Sequence, residues 1–104
     1  MRKMRHPDKA EIELSRVLYA LSDPVRLDVV RQLDREGEAT CAALDCGRPK
    51  SSMSHHFRVL RDSGVMRTRS EGTAHANELR RAELDELFQG LLDAVLAAPG
   101  PPKA

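Results

Sequence analysis

The tripeptide Gly47-Arg48-Pro49 is the tightest constraint on how this chain can fold. Glycine reaches backbone conformations that other residues avoid, and a proline pushes the residue before it out of the helical region. A continuous helix cannot cross such a break. On its N-terminal side, Thr40 stands in place to cap CAALDC, residues 41–46, as a short helix. On its C-terminal side runs PKSSMSHHFRVL, residues 49–60, in which Met53, Phe57 and Leu60 recur at i, i+4 and i+7. That spacing marks the buried face of a second helix, which ends near Gly64.

The flanking segments supply the rest of one domain. Residues 1–10 are polar and contain Pro7, and read as a flexible N-terminal arm. From Ala10 a helical pattern begins, with Leu14, Val17, Leu18 and Leu21 on one face. It stops at Ser22-Asp23-Pro24, where Asp23 can cap the next helix and Pro24 can take its first position. Leu27, Val30 and Leu33 carry that helix to Gly37. Residues 65–79 change period and predict a hairpin around Glu71-Gly72. Its second strand is weak, because Ala74, Ala76 and Asn77 are poor strand formers. From Arg81 one long helix is expected, with Leu84, Leu87, Phe88, Leu91, Leu92 and Val95 as a wide apolar stripe. Gly90 interrupts it, either for close helix approach at a dimer interface or as a tolerated glycine. Residues 98–104 read as a disordered tail. The result is a single domain over residues 11–97. Its expected class is mainly α: a winged helix-turn-helix of about five helices with a two-stranded β-hairpin wing.

Charge is unevenly distributed along this plan. The whole chain carries a net charge of only +1, yet residues 48–81 hold eight basic and three acidic side chains. Such a block suits an anionic partner. The helix after the break sharpens the point. Lys50, Ser51, Ser54, His55 and Arg58 fall largely opposite its apolar face, and no acid appears before Asp62. Short serines let a helix approach the major groove of double-stranded DNA closely, while Lys and Arg at the edge reach phosphates. Lys50, Ser51, Ser54 and His55 are therefore expected to read bases or the nearby backbone. Arg48 and Arg58 would clamp phosphates, and Arg67, Arg69 and Thr73 on the wing would reach the backbone or the minor groove.

LSDPVRLDVVRQL (residues 21–33), SSMSHHFRVLRDSGV (51–65) and RTRSEGT (67–73) together resemble the ArsR/SmtB-type winged-helix repressors of bacteria. The resemblance spans roughly residues 12–97. It implies a homodimer built from the first and last helices, here through Leu14, Val17, Leu18, Leu87, Leu91 and Val95. It also implies a palindromic operator and an inducer, of unknown identity, that relieves binding. Metal sensors of that family carry a Cys-x-Cys pair near the third helix, where this chain has about Glu38 and Thr40. Others carry Asp-x-His and a further His on the last helix, and ELDELFQGLLDAVL contains no histidine. No metal and no cofactor are therefore expected. Where the family shows a Ser or Thr cap on the recognition helix, this chain has Pro49, so the cap shifts to Arg48 or is missing.

Other chemistry finds little support. Cys41 and Cys46 lie about 140° apart on a helix and cannot chelate one metal as an undistorted pair. They read as small buried hydrophobes, with redox sensing as the alternative. His6, His55, His56 and His75 form no spaced ligand set; His56 is expected to pack partly buried, and His75 to face solvent or phosphate. No nucleophile elbow, Gly-rich phosphate loop or paired carboxylate suggests an enzyme. No apolar run is long enough to span a membrane or serve as a signal peptide, which points to cytoplasm. The reading is a dimeric DNA-binding repressor. A corepressor-type winged helix that binds protein, and a redox-responsive repressor using Cys41 and Cys46, are the alternatives.

Overall fold

Asp23 organises the helical layer. Its Oδ1 accepts from the N–H groups of Val25 (2.8 Å) and Arg26 (3.2 Å), and Pro24 takes the first position of the helix that follows. In the computed structural model, which describes residues 5–100, that helix is α2 (Pro24–Glu36), preceded by α1 (Leu14–Ala20). Gly37 closes α2 at φ 79°, its N–H donating to Leu33 O. A two-residue strand, β1 (Ala39–Thr40), leads into α3 (Cys41–Asp45), which Thr40 caps by accepting from Ala43 N. After the Gly47–Pro49 break come α4 (Lys50–Asp62), β2 (Met66–Glu71) and β3 (Ala74–Leu79). Two helices follow, α5 (Arg81–Leu87) and α6 (Leu91–Ala97).

The helices and the sheet share one core. Leu33, Leu44, Met53, Leu60, Met66 and Leu92 are fully buried in it, joined by Val17, Val29, Val30 and Val65. The buried stripe of α2 is Arg26, Val29, Val30 and Leu33, so Leu27 lies at its margin.

Several expectations are corrected. The single long C-terminal helix is two helices, giving six α-helices among the described residues. Gly90 stands at φ 81° as the N-cap of α6, a conformation in which a side chain is strained, and no atom crowds it. It is therefore a helix stop and not a tolerated interior glycine, and no helix of its own protomer approaches it closely. The wing is part of a three-stranded antiparallel sheet in the order β1-β3-β2. The weak strand β3 is its centre. Asn77 makes that possible: it is fully buried, accepts from Thr68 Oγ1 (2.7 Å) and donates to Ala39 O (3.1 Å). The hairpin turn is Gly72-Thr73, one residue beyond the expected position, because Glu71 pairs with Ala74.

The described part of the N-terminal arm lies against the body. His6 Nε2 accepts from Thr68 N on the outer edge of β2 (3.0 Å), and Pro7 O accepts from Arg80. A 3-10 turn, Lys9–Glu11, leads to Ile12, which is buried beneath Gly64. A Cβ on Gly64 would come within 2.6 Å of the Ile12 side chain. Residues 1–4 and 101–104 lie outside the described residues.

Candidate nucleic-acid interface

α4 begins without a side-chain cap, as Pro49 forces; Ser52 Oγ instead donates to Pro49 O. Met53, Phe57 and Leu60 anchor the helix in the core. Lys50, Ser51, Ser52, Ser54, His55 and Arg58 are all exposed. The expected face is thus presented to solvent as one arc, with Asp62 the first acid on it.

A second attachment holds α4 against the preceding helices. Arg26 is buried, and its guanidinium serves three acceptors. Nε donates to Ala20 O (2.7 Å), one terminal nitrogen to Tyr19 O (3.1 Å), and the other meets His56 Nδ1 at 3.1 Å. It thereby satisfies the Ala20 carbonyl at the end of α1, adds to the Ser22 hydrogen bonds on Tyr19 O, and ties this corner to α4. Burial pulls the His56 pKa below the ordinary histidine value; Asp23, 4.0 Å away, opposes this and Arg26 reinforces it. His56 therefore acts as a neutral acceptor toward Arg26. Arg26 was not anticipated as a positioning residue. Its signal was an arginine in register with Val29, Val30 and Leu33 on a stripe that buries.

The wing differs in its electrostatics. Arg67 pairs with Glu83 (3.2 Å), and Arg69 pairs with Glu38 (2.9 Å) and Glu71 (3.3 Å). Arg48 is likewise held by Asp28 at 2.9 Å. Glu83 also chelates the buried Arg80 through both oxygens, at 2.9 and 2.7 Å. That bidentate bond holds the Glu83 carboxyl at about 2, far below its ordinary value, against an opposing burial effect. Thr73 stands exposed at the turn.

Between α3, α4 and β3 lies a cleft of about 430 Å³. Lys50, Ser54, Arg58 and Arg61 line one wall, and His75 reaches it from β3. Cys41 lies on the α3 side, half-buried, its sulfur accepting from Asn77 Nδ2 at 3.4 Å. Cys46, expected to be buried, is exposed in the turn with a left-handed backbone at φ 49°. Among the described residues, no group of three His, Cys, Asp or Glu side chains is placed to share a metal ion. No helix among them is long and apolar enough to cross a membrane.

The residues read as a dimer surface divide. Leu14 and Leu18 are exposed at 46% and 47%, and the unanticipated Tyr19 at 58%. Leu87, Leu91 and Val95 are half-buried. Val17 is corrected: it is fully buried in the protomer core, because one helical face cannot serve both the core and a neighbour.

A short helix, a tight turn, a helix with an acid-free outer face and a following hairpin define a winged helix-turn-helix DNA-binding domain. Comparison with known proteins agrees. Residues 21–69 match the helix-turn-helix domain family. The arsenical resistance operon repressor of Staphylococcus aureus is 34% identical over 80 residues, covering 76% of this chain and 77% of that protein. The transcriptional repressor BigR from Xylella fastidiosa superposes with a TM-score of 0.62 at 31% identity, over 83% of this chain and 88% of its own. A homodimeric winged helix-turn-helix DNA-binding domain from Mycobacterium bovis gives a TM-score of 0.66 at 26% identity, over 79% and 76%. The chain belongs to the ArsR family of transcriptional regulators.

Proposed function

We propose that this regulator is a homodimeric repressor that lays α4 into the major groove of a palindromic operator. The observation that carries this reading is the outer arc of α4. It is acid-free from Lys50 to Arg61, rich in short side chains, and seated on the rigid base of Met53, Phe57, Leu60 and the Arg26–His56 contact. Ser51, Ser54 and His55 read base edges, while Lys50 and Arg58 meet phosphates. Arg48, Arg67 and Arg69 reach phosphate only by exchanging a carboxylate for it, and Thr73 approaches the backbone from the turn. Leu14, Leu18 and Tyr19 expose apolar surface that a second copy would cover, together with Leu87, Leu91 and Val95 at the other end of the chain. The homodimeric relative supports a dimer, and the repressors among the relatives support repression. Binding takes place in the cytoplasm, and an inducer of still open chemistry releases the DNA.

Selection of bound duplexes from a random pool, followed by footprinting, tests the proposal. The expected product is one protected palindrome with half-sites roughly 34 Å apart. Sedimentation should show a dimer at micromolar concentration, and Leu18→Asp should yield folded monomer. Uniform coating of every duplex, or a monomeric wild type, would sink the reading.

A further inference from the structure

Arg61 is the unusual cation of this surface. Its side chain is half-buried, and burial pulls its pKa down, with Asp62 opposing. Yet among the described residues it donates no side-chain hydrogen bond and joins no ion pair, whereas Arg26, Arg48, Arg67, Arg69, Arg80 and Arg81 are all engaged. A guanidinium carries five N–H donors, and those of Arg61 meet no protein acceptor among the described residues. They stay open to an acceptor that arrives from outside.

The surroundings indicate which acceptor. Arg61 lies in the cleft between α3, α4 and β3 with Lys50, Ser54, Arg58 and His75. Three cations, a hydroxyl and an imidazole face a single lining carboxylate, Asp45. Residues 50, 54, 58 and 61 follow one another at i, i+4, i+8 and i+11, a stripe along the edge of the outer arc of α4. A helix seated in a major groove about 12 Å wide has the sugar–phosphate backbone along each flank. The wing, through His75, closes the far side of that position.

We propose that this cleft seats one DNA backbone phosphate, with Arg61 as its anchoring donor, Lys50 and Arg58 at the rim, and His75 donating from the wing. This rests on the reading of α4 as the groove helix. It makes Arg61 and His75 contact residues, and it assigns the wing a phosphate contact that its paired arginines do not supply.

The test uses a duplex selected by the wild-type protein and fluorescence anisotropy across a salt series. Arg61→Gln should flatten the log–log salt dependence by about 0.9. Between roughly 50 and 200 mM salt, wild type should then lose about 3.5-fold more affinity than the variant. A second arm replaces single phosphates with neutral methylphosphonates. One position should weaken wild-type binding and leave Arg61→Gln binding unchanged. Should Arg61→Gln fail to fold, the exposed Lys50→Gln and His75→Gln carry the same test from opposite walls, and both must desensitise that same phosphate. An unchanged salt slope in a folded Arg61→Gln, or methylphosphonate penalties that simply add to those of every variant, overturns the cleft assignment alone. Wild-type protein that shows no salt-dependent DNA binding overturns the groove reading and the cleft with it.

Discussion

The recognition helix and the wing are both basic, but their charges are used differently. On α4, Lys50 and Arg58 are exposed and, among the described residues, unpaired with any carboxylate. On the wing, Arg67 and Arg69 are held by Glu83, Glu38 and Glu71. A count of lysines and arginines treats the two regions alike, with three on α4 and two on the wing. The structure separates cations that await a partner from cations already spent on the fold. Basic sequence blocks therefore overstate an electrostatic footprint wherever acids from other elements fold back on them.

The largest expected effect lies at the root of the wing. Glu83→Gln leaves the buried Arg80 without its bidentate partner and should destabilise the fold by about 3–5 kcal/mol. The pH dependence fixes the cause. A carboxyl held at about 2 when folded and near its ordinary value when unfolded contributes stability that is complete above about pH 4.5. That contribution disappears as pH falls toward 2. Chemical denaturation of both proteins should thus show a gap that is wide at pH 7 and narrows steadily below pH 4.5. A gap that stays constant with pH would mean that Glu83 serves packing and not charge.

On α4 the expected losses fall on DNA binding and spare stability. Ser54→Ala and His55→Ala each remove groups read as base contacts, worth about 1–3 kcal/mol apiece when well formed. The loss should appear on operator and spare random duplex, since the phosphate contacts survive. Both variants should melt as wild type does, because both side chains are exposed. Equal losses on operator and random DNA would place the reading surface elsewhere.

Much of this architecture was legible because it rests on local chemistry. Asp23-Pro24, Thr40, Gly37 and the Gly47–Pro49 break each act over a few residues, and Met53, Phe57 and Leu60 announce a buried face by spacing alone. What was not legible depends on partners distant in sequence. Asn77 is a poor strand former until Thr68 and Ala39 satisfy it in the middle of a sheet. The same holds for Arg26, Arg80 and Arg61. Each reads as a surface cation, and only the fold shows that the first two are buried structural ties and that the third lines a cleft. Val17 failed for a related reason: an apolar stripe does not say which half faces the core.

A smaller effect concerns the seat of α4. His56 accepts from Arg26, and its depressed pKa places it among groups whose stabilisation is full above the ordinary histidine value and is lost on acidification. Lowering pH from 8 to 5.5 should weaken this tie by about 1 kcal/mol, the scale of one net hydrogen bond. His56→Gln should remove that part of the pH dependence of stability. His6 also carries a depressed pKa, from burial and from Arg67, Arg80 and Arg61, so the comparison is best made in a His6→Gln background. If His56→Gln leaves the profile of that background unchanged, His56 is not the titrating group.

The smallest effect tests the wing directly. Glu38 and Glu71 raise the pKa of Arg69, which marks it as a well-held cation. If Arg69 exchanges Glu38 for a phosphate when DNA binds, Glu38→Gln removes the competitor. Affinity for random duplex should then rise by roughly two- to fivefold, the scale of an exposed ion pair. Loss of any acid favours DNA through long-range charge, so a neighbour must be subtracted. Glu36 is exposed at the end of α2 and, among the described residues, pairs with no cation. Glu36→Gln reports the general effect, and only the excess shown by Glu38→Gln belongs to Arg69. In an Arg69→Ala background that excess should vanish. If the two glutamine variants bind random DNA equally well, Arg69 stays on Glu38 in the complex. The wing then contacts DNA through other residues, Thr73 and His75 among them, and Arg69 serves the fold alone.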